Sequence, residues 1–297
     1  MAKKIEISKE QFEDCILVAT SSHSEVYDSV KKHFDGAYNA IKMNFLGEIG
    51  EKALDTNEDL KQSVVSAVCL SAFLEVVRHL DLVLTPTGFG VVANSEVSPA
   101  SSARVEALIE QCRLANIKAQ DLMLANLCDI AGWGSSMQAQ QSIQTVLWSI
   151  TGYCYLTRQE YIASKEWAAK LAAMQEADSI LRKLISDEEM DDIMSLVRGV
   201  REGNEFEGSV RLMLSRCMIM LANDMLSAYS NERARLLSYL DKNLDKFPLY
   251  ANSSAYKANH FKEFKNEKSK PAFVFNSCRW YTRVQFQGAI IVGGTIR

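Results

Sequence analysis

The chain has 297 residues, of which 47% are hydrophobic and 24% charged, and it contains only four prolines. This composition excludes an intrinsically disordered protein and predicts one large or two small domains with a substantial core. A net charge of −4 argues against a dedicated nucleic-acid binder, and seven irregularly spaced cysteines predict free thiols rather than a disulfide framework.

The pattern of apolar residues favours a cytosolic protein, or one assembled in the cytosol. The first residues carry lysines but lack the apolar stretch of a signal peptide. No apolar run approaches the roughly eighteen residues that are needed to span a bilayer. We therefore expect no membrane partner.

Helical periodicity dominates the chain, so the sequence predicts a mainly α fold built as a multi-helix bundle. Helix signals cover the ranges Gln11–Ala19, Ser24–Leu46, Asp59–His79, Ser101–Ile130, Thr157–Leu184, Ser186–Arg201 and Phe206–Leu244. The third of these is apolar almost all round, which is typical of a central helix. The helices that begin at Thr157 and Ser186 are predicted from capping-box patterns. The aromatic and β-branched run at residues 143–155 is compatible with both a strand and a buried helix.

Between the third and fourth predicted helices, a segment departs from helical periodicity. Two apolar runs, Leu82–Leu84 and Phe89–Val92, flank the turn residues 85–88. Proline suits the second position of a β-turn and glycine suits the last. We therefore predict a β-hairpin at about residues 80–93 that projects from the helical body. Ser98 and Pro99 then read as the N-cap and first residue of the following helix.

The C-terminal part of the chain differs from the rest in charge and in pattern. From residue 255 onward there are eight Lys or Arg and two Glu, a balance of +6, so the preceding part carries −10. Beyond Pro271, aromatic and β-branched residues favour an extended, β-type tail that needs a pairing partner. We therefore predict a helical body at 1–254, which would divide into halves at 1–134 and 135–254, and a basic extended arm at 255–297.

The sequence offers no catalytic, cofactor or metal site, so we expect a protein that is not an enzyme. The four histidines are scattered and form no HExxH or HxxxH pattern. The Gly88-Phe89-Gly90 stretch lacks the third glycine of a dinucleotide-binding motif and the lysine of a P-loop. An enzyme with an all-helical active site is the competing hypothesis, and it would require a buried acid–base pair.

Nucleic-acid binding is the strongest further activity that the residues suggest. Lysines alternate with aromatic residues at the start of the arm, where they would contact phosphates and stack on bases. The competing interpretation is a solvated linker that leads to a docking strand. The candidate nucleic-acid contacts are Lys257, Lys262, Lys265, Lys268 and Lys270.

The hairpin segment also resembles a known family. The pattern LVLTPTGFGVV at 82–92, followed by Asn94, the PAS of 99–101, Arg104-Val105 and Leu108-Ile109, is similar to a family encoded in tailed phages and prophages of Bacteroidales-type bacteria. Members of that family are assigned to the head-to-tail junction of the particle. The similarity covers residues 80–109.

The resemblance implies a structural virion protein, a head–tail connector or neck adaptor. Such a protein forms a ring as a cyclic homo-oligomer and binds the portal and the tail-side neck proteins. It is assembled in the host cytoplasm and comes close to packaged DNA. The expected interaction residues are Thr85, Pro86, Thr87, Gly88, Phe89, Gly90 and Val91 in the hairpin and Phe273, Phe275, Trp280 and Tyr281 in the arm. The alternative is a cytosolic helical adaptor or regulatory protein that is not part of a virion.

Overall fold

A computed structural model describes residues 5–16, 25–80, 82–85, 88–91 and 101–260. These residues are mainly helical, which confirms the predicted fold class at that level. The helices are α1 (Lys9–Cys15), α2 (Glu25–Lys31), α3 (Phe34–Ile41), α4 (Gly47–Ala53), α5 (Glu58–Val76), α6 (Ser102–Cys128), α7 (Met137–Ser142), α8 (Ile150–Thr157), α9 (Ser164–Ile185), α10 (Asp187–Val197), α11 (Glu205–Ala222), α12 (Leu226–Lys242), α13 (Pro248–Ala251) and α14 (Ser254–Asn259). A π-helical turn (Lys42–Leu46) follows α3, and 3-10 turns are formed by Val77–His79 and Trp133–Ser135.

The chain forms two compact units. The first comprises residues up to Gln175 together with Ile193–Asn204, and the second comprises Glu176–Asp192 together with the residues from Glu205 onward. These units do not follow the sequence-based division at residue 134, because α9 and α10 each contribute residues to both units.

Helix α5 is the central helix of the first unit. It begins after Asn57, whose side-chain oxygen accepts a hydrogen bond from the Leu60 backbone N–H at 2.9 Å. The helix contacts α1, α2, α3 and α6. Its buried residues are distributed around the helix, as the nearly all-round apolar sequence predicts.

The same helix corrects the expectation that no segment is apolar enough to span a bilayer. Helix α5 and the turn that follows it, residues Glu58–His79, are long enough and apolar enough to cross a membrane. The mean hydropathy of the most apolar stretch is 1.6. Of that stretch, 67% is buried inside the protein. Such burial is typical of the core helix of a globular protein, so the segment is weak support for a membrane span.

Two short strands lie between α5 and α6. Strands β1 (Leu82–Thr85) and β2 (Gly88–Val91) pair antiparallel. They fall within the range predicted for the hairpin, whereas the turn residues 86 and 87, the predicted N-cap Ser98 and the tail at 261–297 lie outside the described residues. Helix α6 begins at Ser102 after an extended Ser101.

The predicted helix start at Thr157 is wrong, because Thr157 ends α8. Its hydroxyl donates a hydrogen bond to the Tyr153 carbonyl at 2.8 Å, and Arg158 follows in the left-handed conformation with φ 57°. The next helix begins at Ser164, where the Glu110 carboxylate accepts hydrogen bonds from the serine N–H and hydroxyl at 2.6 and 2.7 Å. A tertiary contact therefore takes the place of the predicted local cap.

The ambiguous run at residues 143–155 enters a helix at Ile150. The Ser149 hydroxyl accepts a hydrogen bond from the Gly152 N–H at 3.0 Å. Asp121, on α6, accepts further bonds from the N–H groups of Ile150 at 2.8 Å and Thr151 at 3.4 Å. Side chains from two places in the sequence thus satisfy the first N–H groups of α8.

The Asp121 carboxyl gives the first unit a pH-dependent stability. Burial raises its pKa from 3.8 to about 7, although the N–H groups of Thr151 and Ile150 act in the opposite direction. Because this folded pKa lies above the unfolded value, the native state binds the proton more tightly between these two pH values. The free energy of unfolding should therefore fall as pH rises from about 4 to about 7.

Replacing Asp121 with Asn removes this titrating group. In urea unfolding measured across that pH range, we expect the wild type to lose more stability than Asp121→Asn as pH rises. Comparing the two slopes removes the contributions of groups that both proteins share. Parallel curves for the two proteins would contradict the assignment.

The predicted long helix at residues 206–244 is wrong, because two helices occupy this range. Helix α11 ends before Asn223, whose side-chain amide donates a hydrogen bond to the Ile219 carbonyl at 2.7 Å. Asp224 then adopts the left-handed conformation with φ 55°. Because this conformation cannot continue a right-handed helix, the chain turns and α12 packs against α11.

The described part of the second unit ends in two short helices, α13 and α14, which are hydrogen-bonded to α10 and α9. The predicted cap at Ser186 is confirmed, since its hydroxyl accepts a hydrogen bond from the Glu189 N–H at 3.1 Å. The buried Glu189 carboxylate accepts a bond from the Tyr250 N–H at 2.9 Å. Ser253 caps α14. The prediction of an extended arm from residue 255 is therefore wrong for residues 255–259, which are helical because Ser253 supplies a helix start.

Candidate functional site

The hairpin residues predicted as an interaction site fall on the two paired strands, except for Pro86 and Thr87, which lie outside the described residues. In the described part of the chain, these two strands form a two-stranded sheet. The register pairs Leu82 with Val91, Val83 with Gly90, Leu84 with Phe89 and Thr85 with Gly88. A two-stranded ladder is marginally stable in water, and neither strand pairs with a third one within the described residues. This geometry suits a contact with a further protein segment.

Most of the other predicted contact residues lie outside the described residues. They are Lys262, Lys265, Lys268, Lys270, Phe273, Phe275, Trp280 and Tyr281. Lys257 is described, and it is an exposed residue of α14 in the second unit.

Groups suited to metal binding are absent from residues 5–16, 25–80 and 101–260. No set of three or more His, Cys, Asp or Glu side chains is arranged there to hold a metal ion. The thiols of Cys15 and Cys69 hydrogen-bond to each other. That bond lowers the pKa of Cys15 and raises the pKa of Cys69, and burial raises the latter further.

A groove of about 350 Å³ lies along the pair α11 and α12, within the second unit. Each helix contributes four residues at the spacing i, i+3, i+4 and i+7, which places them on one helix face. The lining residues are Ser209, Leu212, Met213 and Arg216 on α11 and Arg235, Ser238, Tyr239 and Lys242 on α12. The turn at Asp224 is what brings these two faces together.

The groove combines three kinds of side chain. Arg216, Arg235 and Lys242 supply three positive charges, and two serines with one tyrosine supply hydroxyl groups. Leu212 and Met213 supply apolar surface, with Leu212 40% exposed and Met213 5% exposed. A groove of this kind can hold a ligand that carries both an anionic group and a flat or apolar group.

The positive charges of the groove are only partly neutralised. The Glu232 carboxylate lies near both arginines, with Oε1 3.7 Å from Arg216 Nη1 and Oε2 3.8 Å from Arg235 Nη1. Both distances exceed hydrogen-bond length, and the buried Oε1 has no hydrogen-bond partner among the described residues. Lys242 pairs with no carboxylate in that part of the chain. Three cations and one carboxylate leave a local excess of +2.

Sequence reasoning missed this groove because it treated residues 206–244 as one helix. On a single helix, Arg216 and Arg235 would lie about 28 Å apart along the axis and could not line one site. Two signals were present in the sequence. One is the repeated spacing of the lining residues, and the other is the adjacent Asn223-Asp224 pair, whose residue types tolerate the left-handed conformation.

Comparison with known proteins gives one match. The model of DUF6712, described as a family of unknown function, matches residues 25–139 and 217–260, together more than half of the chain. The first matched segment contains both strands and the helices on either side of them, and the second contains all of α12. No curated protein matches the chain, and no solved structure does.

Proposed function

We propose that this chain, which belongs to DUF6712, a family of unknown function, is a structural head–tail connector of a tailed phage. On this proposal it forms a ring between the portal and the tail-side neck proteins in the virion, after assembly in the host cytoplasm. The observation that carries the proposal is the β1–β2 ladder in a mainly helical unit, within the segment that resembles connector proteins.

The short ladder supports a contact between subunits. Four residue pairs in a two-stranded sheet provide little stability in water, so packing against another surface would stabilise them. In a cyclic ring, each subunit uses one surface to bind a different surface of its neighbour. A hairpin is well suited to such a head-to-tail contact, because its open edges accept a strand and its side chains add specificity.

The helices on either side of the hairpin segment contact each other. Arg78, just after α5, and Glu106, in the first turns of α6, form an ion pair of 2.8 Å. Further along the two helices, the Ser71 hydroxyl and the Asn116 amide lie 3.2 Å apart in a hydrogen bond. The helices before and after the hairpin segment are thus joined to each other, which would keep the two ends of that segment close together and favour a contact made through it.

The remaining parts of the proposal concern the C-terminal arm. Its aromatic residues Phe273, Phe275, Trp280 and Tyr281 would form a second contact with a neighbouring subunit, and its lysines would lie near packaged DNA. On this proposal the chain is not an enzyme and needs no cofactor. A cytosolic adaptor outside the virion is the alternative that the next experiment separates from it.

Quantitative mass spectrometry of purified DNA-filled particles tests the proposal directly. The copy number of the chain is compared with that of the portal protein in the same particles. A number close to that of the portal, roughly a dozen for a cyclic ring, supports a connector. Hundreds of copies would assign the chain to the capsid shell, and absence from the particles would favour the cytosolic adaptor; either result contradicts the connector.

The hairpin turn can be tested separately with the double variant Pro86→Ala/Gly88→Ala. The substitutions change Pro86 and the first residue of β2, both outside the helices, so we expect the subunit to stay folded, with a melting temperature within a few degrees of the wild type. We expect ring formation to fall by about tenfold or more, since one hot-spot contact typically contributes more than 1.4 kcal/mol. Ring formation is measured by mass photometry and electron microscopy.

Gly208→Ala serves as the matched control. A Cβ atom at Gly208 would meet no heavy atom within 4 Å, so the substitution should leave both the fold and the rings intact. Normal ring formation by the double variant would refute the role of the hairpin in assembly.

A further inference from the structure

We propose that the groove between α11 and α12 binds single-stranded nucleic acid, holding a backbone phosphate at its cations and a base against Tyr239. This inference rests on the groove alone, so failure of the connector proposal would leave it standing. It also differs from the candidate lysine contacts of the arm, because it assigns the binding to a folded surface.

The cations of the groove are available for a phosphate. Arg216 and Arg235 share one carboxylate at distances beyond hydrogen-bond length, which leaves guanidinium N–H groups free to donate to a ligand. A phosphate has several acceptor oxygens, and guanidinium groups bind it with two parallel hydrogen bonds. Lys242 and the Ser238 hydroxyl supply further donors along the same groove, whereas the Ser209 hydroxyl already donates to the Glu205 carbonyl at 3.0 Å.

The apolar part of the groove explains why the ligand should carry a base. Tyr239 is half-buried, and Leu212 and Met213 line the same groove. An aromatic ring beside apolar side chains gives a surface on which a nucleobase can stack, and stacking contributes about 1–3 kcal/mol per base. The volume of about 350 Å³ is at the small end for ligand pockets, which favours a few nucleotides over a duplex.

Charge favours nucleic acid over an acidic peptide. The groove carries an excess of +2, although the whole chain has a net charge of −4. An acidic peptide would satisfy the cations but would leave the aromatic and apolar surface without a matching partner.

The test measures binding of a fluorescent oligothymidylate to the full chain by anisotropy over a range of salt concentrations. The double variant Arg235→Gln/Lys242→Gln removes two exposed cations of the groove and leaves Arg216 to pair with Glu232. We expect about tenfold weaker binding at low salt. We also expect the slope of log K against log salt to become shallower by about 1.4, because each single-strand phosphate contact contributes about 0.7.

The matched control is Lys165→Gln/Lys183→Gln. These two lysines are exposed residues of α9 outside the groove, and the substitution changes the net charge by the same amount. A specific groove predicts near wild-type affinity and salt slope for this control. Melting temperatures of both double variants establish that each is folded.

A second variant, Tyr239→Leu, tests the base contact. It keeps an apolar side chain and removes the ring, so oligothymidylate should bind about tenfold more weakly. The concentration of inorganic phosphate that displaces the oligothymidylate through the cations should be unaffected. If the groove variant and the lysine control variant lost the same affinity for oligothymidylate, the binding would be nonspecific electrostatic attraction, and the proposal would be overturned. Undetectable binding of oligothymidylate at low salt would also overturn the proposal. So would polyglutamate or inorganic phosphate that competes as strongly as unlabelled oligothymidylate at the same concentration of negative charge.

Discussion

Replacing Gly199 with alanine should destabilise the first unit by about 3 kcal/mol or more. Gly199 has φ +71°, a left-handed conformation that costs a residue with a Cβ atom about 1–2 kcal/mol. A Cβ atom there would also overlap the carbonyl oxygen of Cys128 and lie 2.8 Å from its carbonyl carbon. Because the neighbour is backbone at the end of α6, it cannot rotate away as a side chain could.

The measurement is urea unfolding of the full chain, followed by circular dichroism. Gly36→Ala is the control, because Gly36 lies on α3 and a Cβ atom there meets nothing within 4 Å. Alanine is the better helix former, so this control should be stabilised by about 0.5–1 kcal/mol. A Gly199→Ala protein as stable as the wild type would mean that the loop after α10 moves away from α6 without cost.

Replacing Trp133 with alanine should cost about 3–5 kcal/mol, the usual loss when a buried aromatic residue is truncated. Trp133 is fully buried. Its indole N–H donates a hydrogen bond of 2.9 Å to the carbonyl of Phe45, within the π-helical turn that follows α3. The side chain therefore contributes both packing and a partner for a backbone acceptor.

Trp133→Phe separates these two contributions. Phenylalanine keeps most of the apolar surface but leaves the Phe45 carbonyl without its donor, so we expect a smaller loss of about 1–3 kcal/mol. Both losses are measured by equilibrium unfolding in urea. If both variants lost the same stability, the apolar surface that phenylalanine retains would contribute little, which would contradict the expectation from the full burial of Trp133.

The longest helices of the first unit could be predicted from the sequence because their signals are local. The apolar pattern that predicts Asp59–His79 corresponds to α5 and its following turn, and the one at Ser101–Ile130 corresponds to α6. The start of α10 was also predictable, since Ser186 caps it through a neighbouring N–H. In each case the residues that determine the element lie within it or next to it.

The errors arose where helices end or begin through features that local patterns do not contain. Ser164 begins α9 because Glu110, 54 residues earlier in the chain, binds its N–H. Other helices end at left-handed residues that are not glycine, whereas the sequence rules for helix ends rely mainly on glycine. These residues are Arg158, Ser186 and Asp224.

The same limit applied to the candidate sites. The Thr-Pro-Thr-Gly segment predicts a hairpin from a local signal, and two short paired strands lie within that range, although the structure does not describe the residues that would form the turn. The groove depends on the reversal at Asp224, which brings together faces that are distant in sequence. Its lining residues could be recognised as one set only once that reversal was known.

The shared helices have a consequence for dividing this protein into fragments. Residues 193–204 belong to the first unit, yet they follow 17 residues of the second, Glu176–Asp192. A fragment that stops at Gln175 would therefore lack Gly199 and the loop that closes over the end of α6. No single cut in the chain releases either unit whole. Protease cleavage or a gene truncation should thus yield a damaged unit rather than an independent domain.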